Sequence, residues 1–187
     1  MIETALVTPI FLALVLMIME VGFRLRNDII AANASAAAMR ALTVAGSSPE
    51  ADYLALRSLE HGLSTISLED VERVVVYRAS GPGDQVPAAC LSVPIPTGLD
   101  CNGYTAPDFY LAYANAVGTP TGHWGCGVTA RDDRWCPTTR QSSLSDPGGP
   151  DHIGIYVRLS RGTLTGAIGG AQIIEVDRIA RIEPQSN

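Results

Sequence analysis

The first stretch of the chain shows almost no alternation of apolar and polar positions. From Ala5 to Phe23 it reads ALVTPIFLALVLMIMEVGF. About twenty helical residues at ~1.5 Å each match the ~30 Å hydrocarbon core of a bilayer. The continuation, RLRNDIIAANASAAAMRALTVAG, holds no proline and no glycine before Gly46 and is rich in alanine, the strongest helix former. Gly46 followed by Ser47, Ser48 and Pro49 supplies a stop. The pattern therefore predicts one helix from Ile2 to Ala45, apolar in its first half, amphipathic in its second and about 65 Å long. Such a helix cannot be buried in one ordinary domain, so half of it needs lipid or other copies of itself. A cleavable signal peptide fits poorly, because no basic stretch precedes the run and no small-residue cleavage site follows it.

Beyond Gly46 the periodicity changes. A second helix is expected over Pro49 to Gly62, with Ser48 as N-cap and Glu50 and Asp52 at the positive end of its dipole. Val71 to Tyr77 (VERVVVY) is β-branched and predicts a strand. Residues 79–150 are rich in Pro, Gly, Ser, Thr and Asn and carry all four cysteines and both tryptophans, which predicts long irregular loops with a short helix at Ala106 to Ala116. His152 to Leu159 and Ile173 to Ile182 predict two further strands, with a turn or short helix at Leu164 to Ile168 between them. In the last strand Glu175, Asp177 and Arg181 fall on one face and Ile174, Val176 and Ile182 on the other. The expected class is α+β: a helical segment at 1–46 and a head at 47–187 built on a small antiparallel sheet of three or four strands, with loops stapled by disulfides.

The four cysteines, Cys90, Cys101, Cys126 and Cys136, permit three pairings. In an extracytoplasmic segment two disulfides are the default, and the sequential loops Cys90–Cys101 and Cys126–Cys136 are the simplest choice. Each closure contributes about 3 kcal/mol in the chain-entropy model. A zinc site on His123, Cys126 and Cys136 has no CxxC pair and no fourth ligand at a usable spacing.

Charge narrows the function classes. The net charge is −6 and all thirteen cationic residues are arginine, which leaves no basic run for nucleic acid and no lysine chemistry. No GxSxG, HExxH, Walker or dinucleotide-binding motif is present. Asp132, Asp133, Asp146 and Asp151 could hold calcium, but they lack a ligand ladder. Tyr104, Phe109, Tyr110, Tyr113 and Trp124 suit the small core of the loop region better than an adhesive face. Neither an enzyme nor a cofactor is expected.

Carboxylates beside or within the apolar span are the sharpest feature, since a charge in hydrocarbon costs several kcal/mol without a partner. Glu3 precedes the span, and Glu20 lies in its outer half, one helical turn before Arg24. The run Glu3-Thr-Ala-Leu-Val-Thr-Pro9, followed by Glu20-Val-Gly22, resembles the start of TadE-like pilins of the tight-adherence class. The tail segments Gly154–Arg158, Leu164–Gly166 and Ile182–Pro184 are similar to that family's final strands, whereas the cysteine-containing middle is not.

The resemblance implies that a prepilin peptidase removes a leader from a precursor held in the inner membrane. The pilus assembly machinery then packs the subunit with copies of itself into an extracellular filament on a bacterial surface. Glu3 would neutralise a neighbour's terminal amine, a pairing that offsets the burial of both groups, and Pro9 would loosen the helix. The family places this glutamate fifth in the mature chain, whereas Met1 and Ile2 precede it here. The other expectations kept open are a minor pilin or pseudopilin that primes or caps a filament, and a membrane-anchored binding module.

Overall fold

A computed structural model of the chain describes residues 2–111, 123–127, 130–162 and 170–184, with the side chains of the first helix from residue 7 onward. Helix α1 spans Ile2–Ala45, as the sequence predicts. Gly46 ends it with φ +54°, its amide bonding the Leu42 carbonyl at 2.9 Å, a left-handed stop that glycine adopts without steric cost. The second half of α1 is amphipathic. Asn27, Ala31, Ala34, Ser35, Ala38, Met39, Leu42 and Thr43 are buried, at the three- and four-residue steps of one helical face.

Helix α2 (Ala51–Gly62) folds back along this face. It begins later than expected. Ser48 is not its N-cap: Glu50 holds that position without a side-chain cap bond, and Ser48 offers its carbonyl to the Ala51 amide at 3.0 Å. The turn after Gly46 occupies Ser48, so the cap falls two residues downstream. Small residues let the two helices approach closely. A Cβ on Gly62 would lie 2.6 Å from the Ala34 Cα.

Strands β1 (Val71–Ala79), β2 (Cys101–Tyr104), β3 (His152–Arg161) and β4 (Gln172–Arg181) form one antiparallel sheet in the order β2-β1-β3-β4. Val74, Val76, Ile153, Ile155, Val157, Leu159 and Ile174 face the helices and form the main core with them. Val75, Tyr77 and Tyr156 point to the other side, where Cys90, Ile95 and Cys101 cover them. Covering on both faces explains why Val74 to Tyr77 in β1 read as a continuous apolar run rather than an alternating one. In β4 the expected alternation holds at Ile174, in the core, and at Glu175 and Asp177 on the opposite face. Arg178, on the helix side, ties β4 to α1 by donating to Ser35 Oγ at 2.9 Å and the Ala32 carbonyl at 3.0 Å.

The segment expected to be irregular apart from one short helix also contains β2. Its sequence, Cys-Asn-Gly-Tyr, has little strand propensity, and its order comes from pairing with β1 and from the disulfide at Cys101. Of the short helix expected at residues 106–116, Ala106–Tyr110 form a 3-10 turn that Asp108 caps, its carboxylate accepting from the Thr105 amide at 2.7 Å. Residues 112–116 lie outside the described residues, as do the turn expected at 164–168 and the family-like Leu164–Gly166.

Candidate assembly helix and its junction with the head

The outer half of α1 is built to be covered by something other than its own head. Val7, Ile10, Phe11, Leu12, Leu14, Met17, Ile18 and Val21 are all exposed, Ile18 at 72%. The helix is long and apolar enough to cross a membrane. Its spanning window has a mean hydropathy of 1.9, with 6% of that window buried within the chain. Thus residues 7 to about 25 project apolar side chains outward, while residues from 27 onward bury a stripe on the sheet and α2.

The sequence-predicted assembly residues divide along this boundary. The helix runs through Pro9 without interruption, although proline has no amide to donate to the preceding turn. The Glu3 side chain lies outside the described residues. Gly22 leaves open space, with nothing within 4 Å of where a Cβ would sit. Glu20 does not face outward with its apolar neighbours. It is 4% exposed and lies 3.9 Å from Arg24, the partner that its i,i+4 spacing predicts.

Glu20, Arg24, Asn27 and Ala31 continue one line along the helix, so Glu20 caps the N-terminal end of the stripe that holds the head. There α1 meets the ends of β3 and β4 around a cavity of about 350 Å³. Asn27 forms its floor, accepting from Arg161 Nη1 at 3.0 Å and lying 3.5 Å from Gln172 Oε1. Gln172 Nε2 in turn donates to Asp28 Oδ1 at 3.3 Å.

The cysteines pair sequentially. Cys90–Cys101 lays the first loop across the sheet face away from α1, where Arg73 Nη2 donates to the Cys90 and Ser92 carbonyls at 3.1 and 2.7 Å. Tyr77 Oη and the Val86 amide both donate to Asp177, at 2.7 and 2.9 Å. Burial, and then the Asp177 carboxylate, hold the Tyr77 hydroxyl far above its ordinary pKa. Cys126–Cys136 closes the second loop, so neither sulfur is free to bind zinc.

Three of the four carboxylates considered for calcium have other tasks. Asp132 accepts from the Gly125 and Cys126 amides at 2.8 and 3.0 Å, although burial still raises its pKa. Asp151 accepts from Arg78 at 2.7 Å and from the Gln141 amide at 2.8 Å. Asp146 accepts from the Ser143 amide at 2.9 Å. Among the described residues no group of three or more metal-ligating side chains occurs.

A buried polar knot, which the sequence did not reveal, locks this second loop to the head. Asp52, which the sequence places only at the positive end of the α2 dipole, is fully buried, as is the Arg140 side chain. Arg140 Nη2 donates to Asp52 Oδ2 at 2.9 Å. Nη1 lies 2.7 Å from Oδ1 in an ionic contact not aligned as a hydrogen bond. Tyr104 Oη and Asn102 Nδ2 also donate to Asp52 Oδ2, at 2.5 and 2.8 Å. Asn102 further pairs with the Trp135 backbone through both of its side-chain polar atoms, at 2.8 and 2.9 Å. The Arg140 guanidinium lies over the Trp135 ring, 4.3 Å from its centroid. No local motif announces the knot, because an Asp in a first helical turn and an Arg in a loop are each ordinary alone. Tyr104, Phe109 and Trp124 belong to the core, whereas Tyr110 is 69% exposed and Tyr113 lies outside the described residues.

Against this geometry, a family model described as TadE-like protein matches residues 1–40, the stretch that carries Glu3, Pro9, Glu20, Gly22 and Arg24. Neither the curated proteins nor the solved structures yield a match. The N-terminal helix is thus TadE-like from its start almost to the turn at Gly46.

Proposed function

We propose that this protein is a structural pilin subunit that polymerises through α1 into an extracellular pilus. The TadE-like helix points to a pilus-related, non-enzymatic protein. The observation that carries the finer reading is the division of α1: an outward half exposing apolar side chains all round, and an inner half buried on a stapled head. Lipid would cover the outward half in a membrane-inserted precursor, and the same half of neighbouring copies would cover it in a filament.

Because lipid already solvates these side chains, apolar burial adds little on leaving the membrane. Close packing of small residues and polar pairing then decide assembly. Glu3 would pair with the terminal amine of an adjacent copy after a prepilin peptidase has exposed it, and Pro9 would let the first turns adjust. The disulfide-stapled head, carried at the end of the helix, suits the outer layer of such a fibre.

Electron microscopy of material sheared from the cell surface, with mass spectrometry of the fibre protein and its N-terminus, tests this reading. Thin fibres composed chiefly of this chain are the expected result. Trace amounts within fibres of another protein would mark a minor pilin, and no fibres at all would leave an anchored module. Glu3→Ala should leave membrane-inserted subunit with few or no filaments. Abundant normal filaments from that variant would remove Glu3 from the assembly step.

A further inference from the structure

The two disulfides sit in different surroundings. Cys90 and Cys101 are buried, at 2% and 0% exposure, and pack with Val75, Tyr77, Ile95 and Tyr156. Cys126 and Cys136 are both partly exposed. Cys126 also has φ at +64°, in the left-handed region, which no other non-glycine residue adopts among the described residues. A side chain there is strained, and the conformation persists because its neighbours fix it. Asp132 does so by accepting from both the Gly125 and Cys126 amides, at 2.8 and 3.0 Å.

A second difference lies at Cys136. Thr138 Oγ1 is 2.9 Å from its Sγ, and since a disulfide sulfur carries no hydrogen, the hydroxyl donates. That bond strengthens when Cys136 becomes a thiolate, because an ionised acceptor roughly doubles a hydrogen bond. Thr138 therefore favours Cys136 as the leaving sulfur. The segment between the two cysteines carries two arginines, Arg131 and Arg134, and two aspartates, Asp132 and Asp133. Its formal charge is balanced, so access and the leaving group decide the chemistry.

We propose that Cys126–Cys136 is a thiol-exchange site, opened in the folded protein by a low-molecular-weight thiol, whereas Cys90–Cys101 is a fixed structural bond. Exposed or strained disulfides are the labile ones. The thiolate of the small molecule attacks Cys126 Sγ, a new S–S bond forms there, and the electron pair of the old bond leaves on Cys136 Sγ. A second thiolate then attacks the small molecule's sulfur, which releases its oxidised disulfide and leaves Cys126 as a thiolate. Two thiols are thereby oxidised to one disulfide, the protein disulfide gains two electrons, and the two protons pass to Cys126 and Cys136.

After opening, Asp132 still ties Cys126, and Asn102 still pins the Trp135 backbone beside Cys136. The two thiols stay close and the bond can re-form. Exchange thus alters the surface of the head without disturbing the sheet, the first loop or either helix. Its chemistry depends on neither membrane insertion nor polymerisation.

The test treats the full chain in detergent with millimolar reduced glutathione, quenches with iodoacetamide and maps peptides by mass spectrometry. Cys126–Cys136 should open about a hundredfold faster than Cys90–Cys101, because the buried pair waits for opening of the core. The trapped intermediate should carry glutathione on Cys126 and carbamidomethyl on Cys136. Thr138→Val, at an exposed position, should slow opening about threefold, and Thr138→Ser should restore it. In denaturant the two disulfides should open at similar rates.

Equal rates in the folded protein, earlier opening of Cys90–Cys101, or resistance of both until denaturant is added would overturn the proposal. Glutathione found chiefly on Cys136, or an unchanged rate in Thr138→Val, would overturn the direction of attack.

Discussion

Asp52→Ala should destabilise the head more than any ordinary surface change, and the structure sets the scale. The carboxylate serves Arg140 through both terminal nitrogens and also accepts from Tyr104 and Asn102. Removing it leaves the guanidinium, which is fully buried, with the Trp135 carbonyl at 3.3 Å and the Trp135 ring. Asn102 keeps its bonds to the Trp135 backbone, whereas the Tyr104 hydroxyl loses its carboxylate acceptor.

Breaking one side of a buried ion pair costs about 3–5 kcal/mol, chiefly through the uncompensated charge that remains. At about 2–4 °C per kcal/mol for a domain of this size, the melting temperature should fall by roughly 6–20 °C. The assay is thermal melting of the full chain in detergent, followed by near-ultraviolet circular dichroism, since Trp124 and Trp135 sit beside the knot. The double variant Asp52→Ala/Arg140→Met removes both charges and should recover much of the loss. A double variant that falls by the sum of the two single changes would refute the coupling. So would an Asp52→Ala protein melting within about 2 °C of the parent.

Three further outcomes are expected. In an alkaline titration followed by tyrosinate absorbance, Tyr77 and Tyr104 should ionise only together with unfolding, because burial and neighbouring carboxylates raise both above the ordinary tyrosine value of about 10. With folded pKa values above unfolded ones, their contribution is complete below about pH 10 and declines as pH rises further. Reversible ionisation of every tyrosine near pH 10 in the folded protein would contradict this. Gly62→Ala should cost about 1–3 kcal/mol, because its methyl would meet Ala34 at 2.6–2.7 Å, and an unchanged melting temperature would show that the helices separate freely. Replacing Cys126 and Cys136 by serine should cost about 3 kcal/mol, and a melt unchanged by the substitutions would show that the knot alone holds the second loop.

Family resemblance, helix length and much of the sheet were legible because they rest on local signals. Residues 2–45 carry an apolar span, an alanine-rich continuation and a glycine stop, each readable without knowing what the helix touches. β1, β3 and β4 carry β-branched runs long enough to identify alone. Sequential cysteines at short spacing made their pairing the simplest one available. The Glu20–Arg24 contact follows directly from one helical turn.

Tertiary structure decided the rest, for a common reason: the partners are distant in sequence and individually unremarkable in type. Asp52 and Arg140 are 88 positions apart, and nothing near either marks it for burial. β2 is a strand because β1 offers it an edge and Cys90 anchors its first residue, not because Cys-Asn-Gly-Tyr prefers an extended chain. Arg24 and Arg26 are near neighbours in sequence, but only the fold brought Arg161 and Gln172, more than 130 positions on, to the same cavity. Local propensity specifies which segments are helix or strand. Which charges become buried, and which surround a site, depends on the long-range packing that removes them from water.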